Sequence, residues 1–201
     1  MDLDIGNIGS LLGALYNLGW DPIVVRDPNI VTDCSHLIIP GVGSFREGSK
    51  SLETKKLKDA ILSFVDSQKP VLGICLGMHL LASCGEEGGF SPGLNLIPGR
   101  VTKFQFTSNL PLPHVGWNEV IFNSDHPVLE GIKTNKDFYF VHSYCFQPQF
   151  DNHKVAITHY GLNFASIVVR DNVIGTQFHP EKSQKNGLKL LDNFCMWDGN
   201  A

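Results

Sequence analysis

Gly73-Ile74-Cys75-Leu76-Gly77 sets a cysteine between two glycines, after the apolar run Val71-Leu72-Gly73-Ile74 and ahead of a helical run from Leu76 to Ser83. Small residues on both sides permit a sharp strand-to-helix turn that lifts one side chain above a sheet, the shape of a nucleophile elbow. A helix N-terminus at that point favours thiolate over thiol. A buried structural cysteine is the competing reading of this pattern alone, since free cysteines are commonly buried. A thiolate nucleophile also needs a base. Gln177-Phe178-His179-Pro180-Glu181 ends an expected strand with a histidine and places a carboxylate two residues on. A histidine oriented by an acid is what cysteine and serine nucleophiles use, and Pro180 stiffens the link between the two. Without Cys75, His-x-Glu would be a common surface triplet. Pro40-Gly41-Val42-Gly43 follows another apolar run. Two glycines around a valine let backbone N–H groups turn toward a developing oxyanion. Taken alone, this third motif reads as a simple turn.

The surrounding periodicities supply the elements that must position these groups. Leu11, Leu12, Leu15, Tyr16 and Leu18 repeat near helical spacing and stop at Gly19. Residues 51–68 read as one helix, with Leu52, Leu57, Ile61, Leu62 and Val65 on one face. Met1–Asp4, Ile23–Val25, His36–Ile39 and Val71–Ile74 read as short strands between the helices, which implies βαβ units and a parallel sheet. Met1–Asp4 is short for a central strand. After residue 93 the texture becomes strand-rich, with runs at 101–106, 119–122, 138–146, 155–159, 165–169 and 173–178, and helix returns near 184–194. The expected fold is α/β in three layers, a central mixed, mostly parallel sheet flanked by helices, forming a single domain over 1–201 with no independent lid. Cys75 would then lie beyond the carboxyl ends of the parallel strands, where ligands usually sit.

Composition narrows the class. The 201 residues are 42% hydrophobic and 18% charged, within the globular range. Sixteen basic against twenty acidic residues give a net charge of −4, which argues against nucleic-acid binding. The apolar runs are too short to span a bilayer, and no secretory leader pattern follows Met1. The five cysteines (34, 75, 84, 145 and 195) are odd in number and form no Cys-x-x-Cys pair. A disulfide scaffold or zinc ribbon is therefore not expected, and a reducing, cytoplasmic location is.

The Gly-Val-Gly turn, the Gly-x-Cys-x-Gly elbow and the late His-Pro-Glu occur in one order along the chain, and together they resemble the class I (triad) glutamine amidotransferases. The segments 4–11 (DIGNIGSL), 40–49 (PGVGSFREGS), 73–78 (GICLGM), 113–120 (PHVGWNEV), 138–144 (FYFVHSY) and 175–184 (GTQFHPEKSQ) are similar to the glutaminase subunits of imidazole glycerol phosphate synthase in histidine biosynthesis. The resemblance implies that Cys75 is the nucleophile, His179 the general acid and base, and Glu181 the residue that orients it. It implies an oxyanion hole from the N–H groups of Leu76 and of Gly41-Val42-Gly43. Glu87 would receive the substrate ammonium group, and Ser143 and Tyr144 would line the pocket. No metal or organic cofactor is implied. The ammonia would pass to a (β/α)8-barrel synthase subunit in a heterodimer, docked on Asn7, His114, Trp117, Tyr139 and Lys182. An ordinary core role for Trp117 and Tyr139 remains the alternative.

Position 79 departs from that pattern. The family motif usually continues Gly-Met-Gln, with the glutamine touching substrate, whereas this chain has His79. His79 shares a helix face with Cys75. The expectation is that its imidazole replaces the glutamine contact and makes substrate binding pH-dependent near ~6.5. Weakened activity, or a ring that turns aside, are the other readings. Besides a stand-alone cysteine hydrolase acting on γ-glutamyl compounds, two further functional readings stand beside the leading one. One is a paralogue that feeds ammonia to a sugar-modifying enzyme of surface-polysaccharide assembly, suggested by Leu112-Pro113-His114 and the terminal Phe194-Cys195-Met196-Trp197. The other is a catalytically weak scaffold subunit.

Overall fold

Leu72 and Ile74 pack into one apolar cluster and Val71 into another, so the strand that carries them is covered on both faces. The computed structural model describes residues 1–5, 8–105 and 110–200. Its helices are α1 (Gly9–Asn17), α2 (Pro28–Val31), α3 (Phe45–Thr54), α4 (Leu57–Asp66), α5 (Leu76–Leu80) and α6 (Gln184–Met196). Its strands are β1 (Leu37–Ile39), β2 (Val71–Ile74), β3 (Cys84–Gly85), β4 (Ser91–Pro92), β5 (Gly99–Lys103), β6 (His114–Phe122), β7 (Lys136–His142), β8 (Tyr144–Pro148), β9 (Lys154–His159), β10 (Asn163–Arg170) and β11 (Val173–Thr176).

Seven strands form one mixed sheet in the order β1-β2-β11-β10-β9-β6-β7, and β4-β3-β5-β8 form a smaller one. Leu11 and Leu15 of α1 and Leu190, Leu191 and Phe194 of α6 cover one face of the large sheet, against Phe138, Phe140 and Phe178. Phe45, Leu52, Leu57, Ile61 and Phe64 of α3 and α4 cover the other. Among the described residues no helix is long and apolar enough to cross a membrane.

The parallel share of the sheet is smaller than expected. The β1–β2 and β2–β11 pairings are parallel, and the other four are antiparallel. Met1–Asp4 and Ile23–Val25, expected as strands, have no strand assignment. They lie side by side, with Asp2 N–H donating to the Val25 carbonyl at 2.8 Å and the Met1 ammonium to the Ile38 carbonyl at 2.8 Å. Asp4 turns at φ 57°, which ends the extended run before a ladder develops. A cavity of about 510 Å³ lies beside this segment, lined by Leu11, Leu15, Trp20, Ile38 and Phe194.

Two other expectations are corrected. The helix expected over 51–68 is two helices, α3 and α4, because Lys56 adopts φ 56° between them. The strand expected over 138–146 is also two, β7 and β8, which belong to different sheets and part at Ser143. That break opens the sheet beside Cys75. The strand expected over 101–106 is β5, and Phe106 lies outside the described residues.

Two glycines test this packing from opposite sides. A Cβ on Gly77 would run into the Ile39 carbonyl oxygen, whereas one on the exposed, helical Gly13 meets nothing within 4 Å. Urea unfolding should show Gly77→Ala destabilised by about 3 kcal/mol or more. Gly13→Ala should be stabilised by about 0.5–1 kcal/mol.

Candidate active site

The elbow is built at the junction of β2 and α5. Cys75 sits at φ 53°, ψ −106°, a backbone conformation that L-residues rarely adopt. It is held there from both sides. Its N–H donates to the Thr176 carbonyl at 2.8 Å, and its carbonyl accepts from His79 N–H at 3.0 Å. A Cβ on Gly73 would stand 2.6 Å from the Gly77 carbonyl oxygen. Both flanking glycines are therefore required sterically, and the helix can start directly under the cysteine.

β11 leads to His179. Its parallel register on β2 sets Thr176 opposite Ile74, so the chain leaving β11 passes beside Cys75. His179 Nδ1–H donates to Glu181 Oε1 at 2.8 Å, and both side chains are buried. The opposite ring nitrogen, Nε2, is buried without a hydrogen-bond partner among the described residues. Burial alone would lower the pKa of His179. Cys75 and then Glu181 override it and push it up to about 10. The ring is thus favoured in its charged form.

Backbone hydrogen bonds fix the loop that carries the histidine. His179 N–H donates to the Tyr139 carbonyl at 2.9 Å. Ser183 Oγ accepts from Tyr139 N–H at 3.0 Å and donates to the His179 carbonyl at 2.7 Å. Both hydrogen-bonding roles of the hydroxyl join β7 to the loop that carries His179.

A cavity of about 320 Å³ opens over Cys75, between the Val42-Gly43 turn on one side and Ser143 and Tyr144 on the other. It is smaller than the cavity near α1. Gly41 is buried where a Cβ would press on the Leu76 side chain, Gly43 has φ 106°, and Val42 is 42% exposed. The turn is anchored by a capping box. Ser44 Oγ accepts from Glu47 N–H, and Glu47 Oε2 accepts from Ser44 N–H at 3.1 Å. Glu87 lines the far wall, and its Oε2 accepts from Phe45 N–H at 3.1 Å. Burial raises the Glu87 pKa against that hydrogen bond, so a cationic group arriving in the cavity would find an acid that gains from pairing. Among the described residues no group of three or more histidine, cysteine or acidic side chains is placed to hold a metal ion.

Comparison with known proteins establishes the family. The model of the class-I glutamine amidotransferases matches residues 1–197. The chain belongs to that family. It is 41% identical to the imidazole glycerol phosphate synthase subunit HisH of Sulfurimonas denitrificans, covering 98% of this chain and 96% of that one. It is 43% identical to HisH of Methanosarcina barkeri, covering 96% and 95%. Among solved structures, a glutamine amidotransferase superposes with TM-score 0.72 at 20% identity, covering 96% and 94%. PurLQS from Thermotoga maritima superposes with TM-score 0.74 at 18% identity, covering 94% and 92%. These two establish the likeness of fold.

In this amidotransferase the docking residues expected from the sequence separate into two groups. Trp117 is 46% exposed, so it is not a core aromatic, and its ring meets Tyr139 edge-on at 6.0 Å. The Lys182 ammonium lies 5.8 Å from the Tyr139 ring centre. The three form one surface patch at the rim of the cavity. His114, expected on the same face, is instead 3% exposed, stacked between Phe140 and Tyr160 and bonded through Nδ1 to His142 Nε2 at 3.0 Å. The strand alternation of β6 turns it inward, opposite in sense to Trp117 three residues on. Asn7 lies outside the described residues.

The expectation for His79 is also corrected. The ring borders the cavity, but its Nε2 is bonded to Gln177 Oε1 at 2.7 Å. Burial pushes its pKa down to about 4, with the Gln177 bond opposing. Its charge therefore does not change in the range near neutrality. Sequence reading missed Gln177 and His142, which both lie inside quoted motifs. Strand alternation offered a signal for His142, two residues from Phe140 on the same face of β7.

The buried histidines set an acid limit on stability. His79 and His114 are pushed down to about 4 and His142 to about 3, in each case first by burial. Unfolding raises each of these values to that of an exposed imidazole, so the unfolded chain binds more protons between those limits. The contribution of these three should be fully present above about pH 6.5 and fall as pH drops toward 4, by about 1.4 kcal/mol per pH unit for each proton taken up, whereas His179, pushed up to about 10, contributes fully below about pH 6.5 and progressively less above it. Denaturant midpoints measured from pH 8 to pH 4 check this, and a flat profile would contradict it.

Proposed function

We propose that this chain is the glutaminase subunit of an imidazole glycerol phosphate synthase, acting in the cytoplasm as a single amidotransferase domain in a heterodimer. It hydrolyses glutamine to glutamate and ammonia and passes the ammonia to a (β/α)8-barrel synthase subunit of histidine biosynthesis. The observation that carries this reading is the Cys75–His179–Glu181 arrangement, in a chain aligned almost end to end with HisH subunits.

The Cys75 thiolate attacks the side-chain amide carbon of glutamine, and the carbonyl π electrons move onto oxygen. The N–H groups of Leu76 and of the Gly41-Val42-Gly43 turn face that oxyanion, where a preorganised donor contributes typically ~3 kcal/mol. Collapse breaks the C–N bond, and His179 Nε2–H supplies the proton with which ammonia leaves. A thioester remains on Cys75. His179, now neutral, takes a proton from water as it attacks the thioester. Collapse then returns the electron pair to sulfur and releases glutamate. Glu181 holds the ring through Nδ1 during both proton transfers. Glu87 holds the substrate ammonium group, with Ser143 and Tyr144 closing the wall. No cofactor takes part.

The Trp117, Tyr139 and Lys182 patch is the docking face, with an aromatic anchor beside a cation. It is joined to the catalytic loop through Tyr139, whose backbone is bonded to His179 and Ser183. Partner binding at Tyr139 therefore acts on the position of the base.

Glutamine hydrolysis, measured with and without a histidine-pathway cyclase, tests the reading. Wild type should be slow alone and strongly stimulated by the cyclase, and Cys75→Ala should be inactive in both states. Glu181→Gln should lose on the order of a thousandfold or more in kcat, because an uncharged amide no longer stabilises the imidazolium and its NH₂ can impose the wrong tautomer. Trp117→Ala should keep the unstimulated rate while weakening the complex by about 2 kcal/mol. Hydrolysis that survives in Cys75→Ala, or a cyclase without effect, would overturn it.

A further inference from the structure

Gln177 lies between β11 and His179, and its side chain is completely buried, at 0% exposure. Its Nε2 donates to Cys75 Sγ at 4.0 Å, while its Oε1 is bonded to His79 Nε2 at 2.7 Å. Cys75 Sγ also points at the Val141 carbonyl, 3.9 Å away. A thiol can donate to that carbonyl, but a thiolate cannot, and is left facing a lone pair. The Gln177 amide is a donor that remains useful once the sulfur is charged.

We propose that Gln177 donates its amide N–H to the Cys75 thiolate, and that His79 is a positioning residue that holds the amide in the rotation that permits it. Burial keeps His79 neutral, so one ring nitrogen carries a hydrogen and the other does not. With the amide oxygen on the His79 Nε2–H, the NH₂ group must face the sulfur. The reversed amide would set its oxygen against a negative charge and turn its NH₂ onto the His79 Nε2–H, two donors facing each other. Each hydrogen bond in the chain His79–Gln177–Cys75 therefore fixes the next. Histidine at position 79 in this arrangement directs its N–H to Gln177 and away from the substrate. The proposal rests on Cys75 being the nucleophile.

The test reads the thiolate directly and needs neither glutamine nor the synthase. Alkylation of the Cys75 peptide by iodoacetamide is followed by mass spectrometry across pH. The other titratable groups around the sulfur are His179 with Glu181 behind it, His142, and Glu87, Tyr144 and Lys182 on the cavity wall, and all are left unchanged. Gln177→Met fills the same space without a donor. It should move the alkylation midpoint up by about one pH unit, the size of one hydrogen bond to a charged group. His79→Leu should move it in the same direction by less. The double variant should match Gln177→Met alone, because His79 acts through Gln177. His79→Gln, which keeps a donor, should restore the wild-type midpoint. Loosened packing would lower the melting temperature and leave the midpoint in place. An unmoved midpoint in Gln177→Met, or shifts that add in the double variant, would overturn the proposal. If Gln177→Met fails to fold, an unmoved midpoint in His79→Leu overturns it instead. A failure of the glutaminase reading shows separately, as a Cys75 that alkylates with the expected midpoints in a chain that does not hydrolyse glutamine.

Discussion

The backbone of Cys75 is the constraint around which the rest is organised. A non-glycine residue at φ 53° between a buried strand and a buried helix costs on the order of 1–3 kcal/mol, and persists only where its surroundings over-determine it. Here they do so from three directions. The Thr176 carbonyl takes the Cys75 N–H, α5 starts at the next residue, and Gly73 and Gly77 allow strand, helix and β1 to approach within backbone contact. The parallel pairing of β11 with β2 has two results. It supplies that carbonyl, and it carries the chain onward to His179.

The electrostatics around the elbow are sharply partitioned. His179 is kept charged by Cys75 and Glu181, although it is as buried as its neighbours. His79, His114 and His142 are kept neutral by burial and satisfied by Gln177, by each other and by the Tyr144 carbonyl. One imidazolium among several neutral imidazoles defines where the proton resides. Cys75 and the paired carboxylate make the difference, since burial dominates at the other three rings. The same loop reaches the surface, because Tyr139 binds His179 and Ser183 through its backbone and shows its ring to Trp117 and Lys182.

Much of this was legible in the sequence for local reasons. Glycines around a cysteine after an apolar run, and an acid two residues past a histidine, are short-range patterns whose meaning depends little on distant contacts. The α/β character followed from periodicity in the same way. What could not be read depended on long-range placement. The direction in which His114 faces is set by the register of β6 on β7, and a histidine looks alike in a core or on a surface. Lys56 and Ser143 interrupt a helix and a strand without a glycine or proline to mark the break. The partner of His79 is Gln177, 98 residues away, and only the β2–β11 pairing brings them together. The expected strand at Met1–Asp4 met Asp4 at positive φ, which no residue preference announced.

The central claim is that Cys75 is the group that bonds covalently to the amide carbon of glutamine. The most direct measurement uses a glutamine analogue with a diazoketone in place of the side-chain amide, followed by peptide mass analysis of the labelled chain. One label per chain is expected, on the peptide containing Cys75, suppressed by excess glutamine. A label on Cys34 or Cys84, or labelling that glutamine does not suppress, would contradict it.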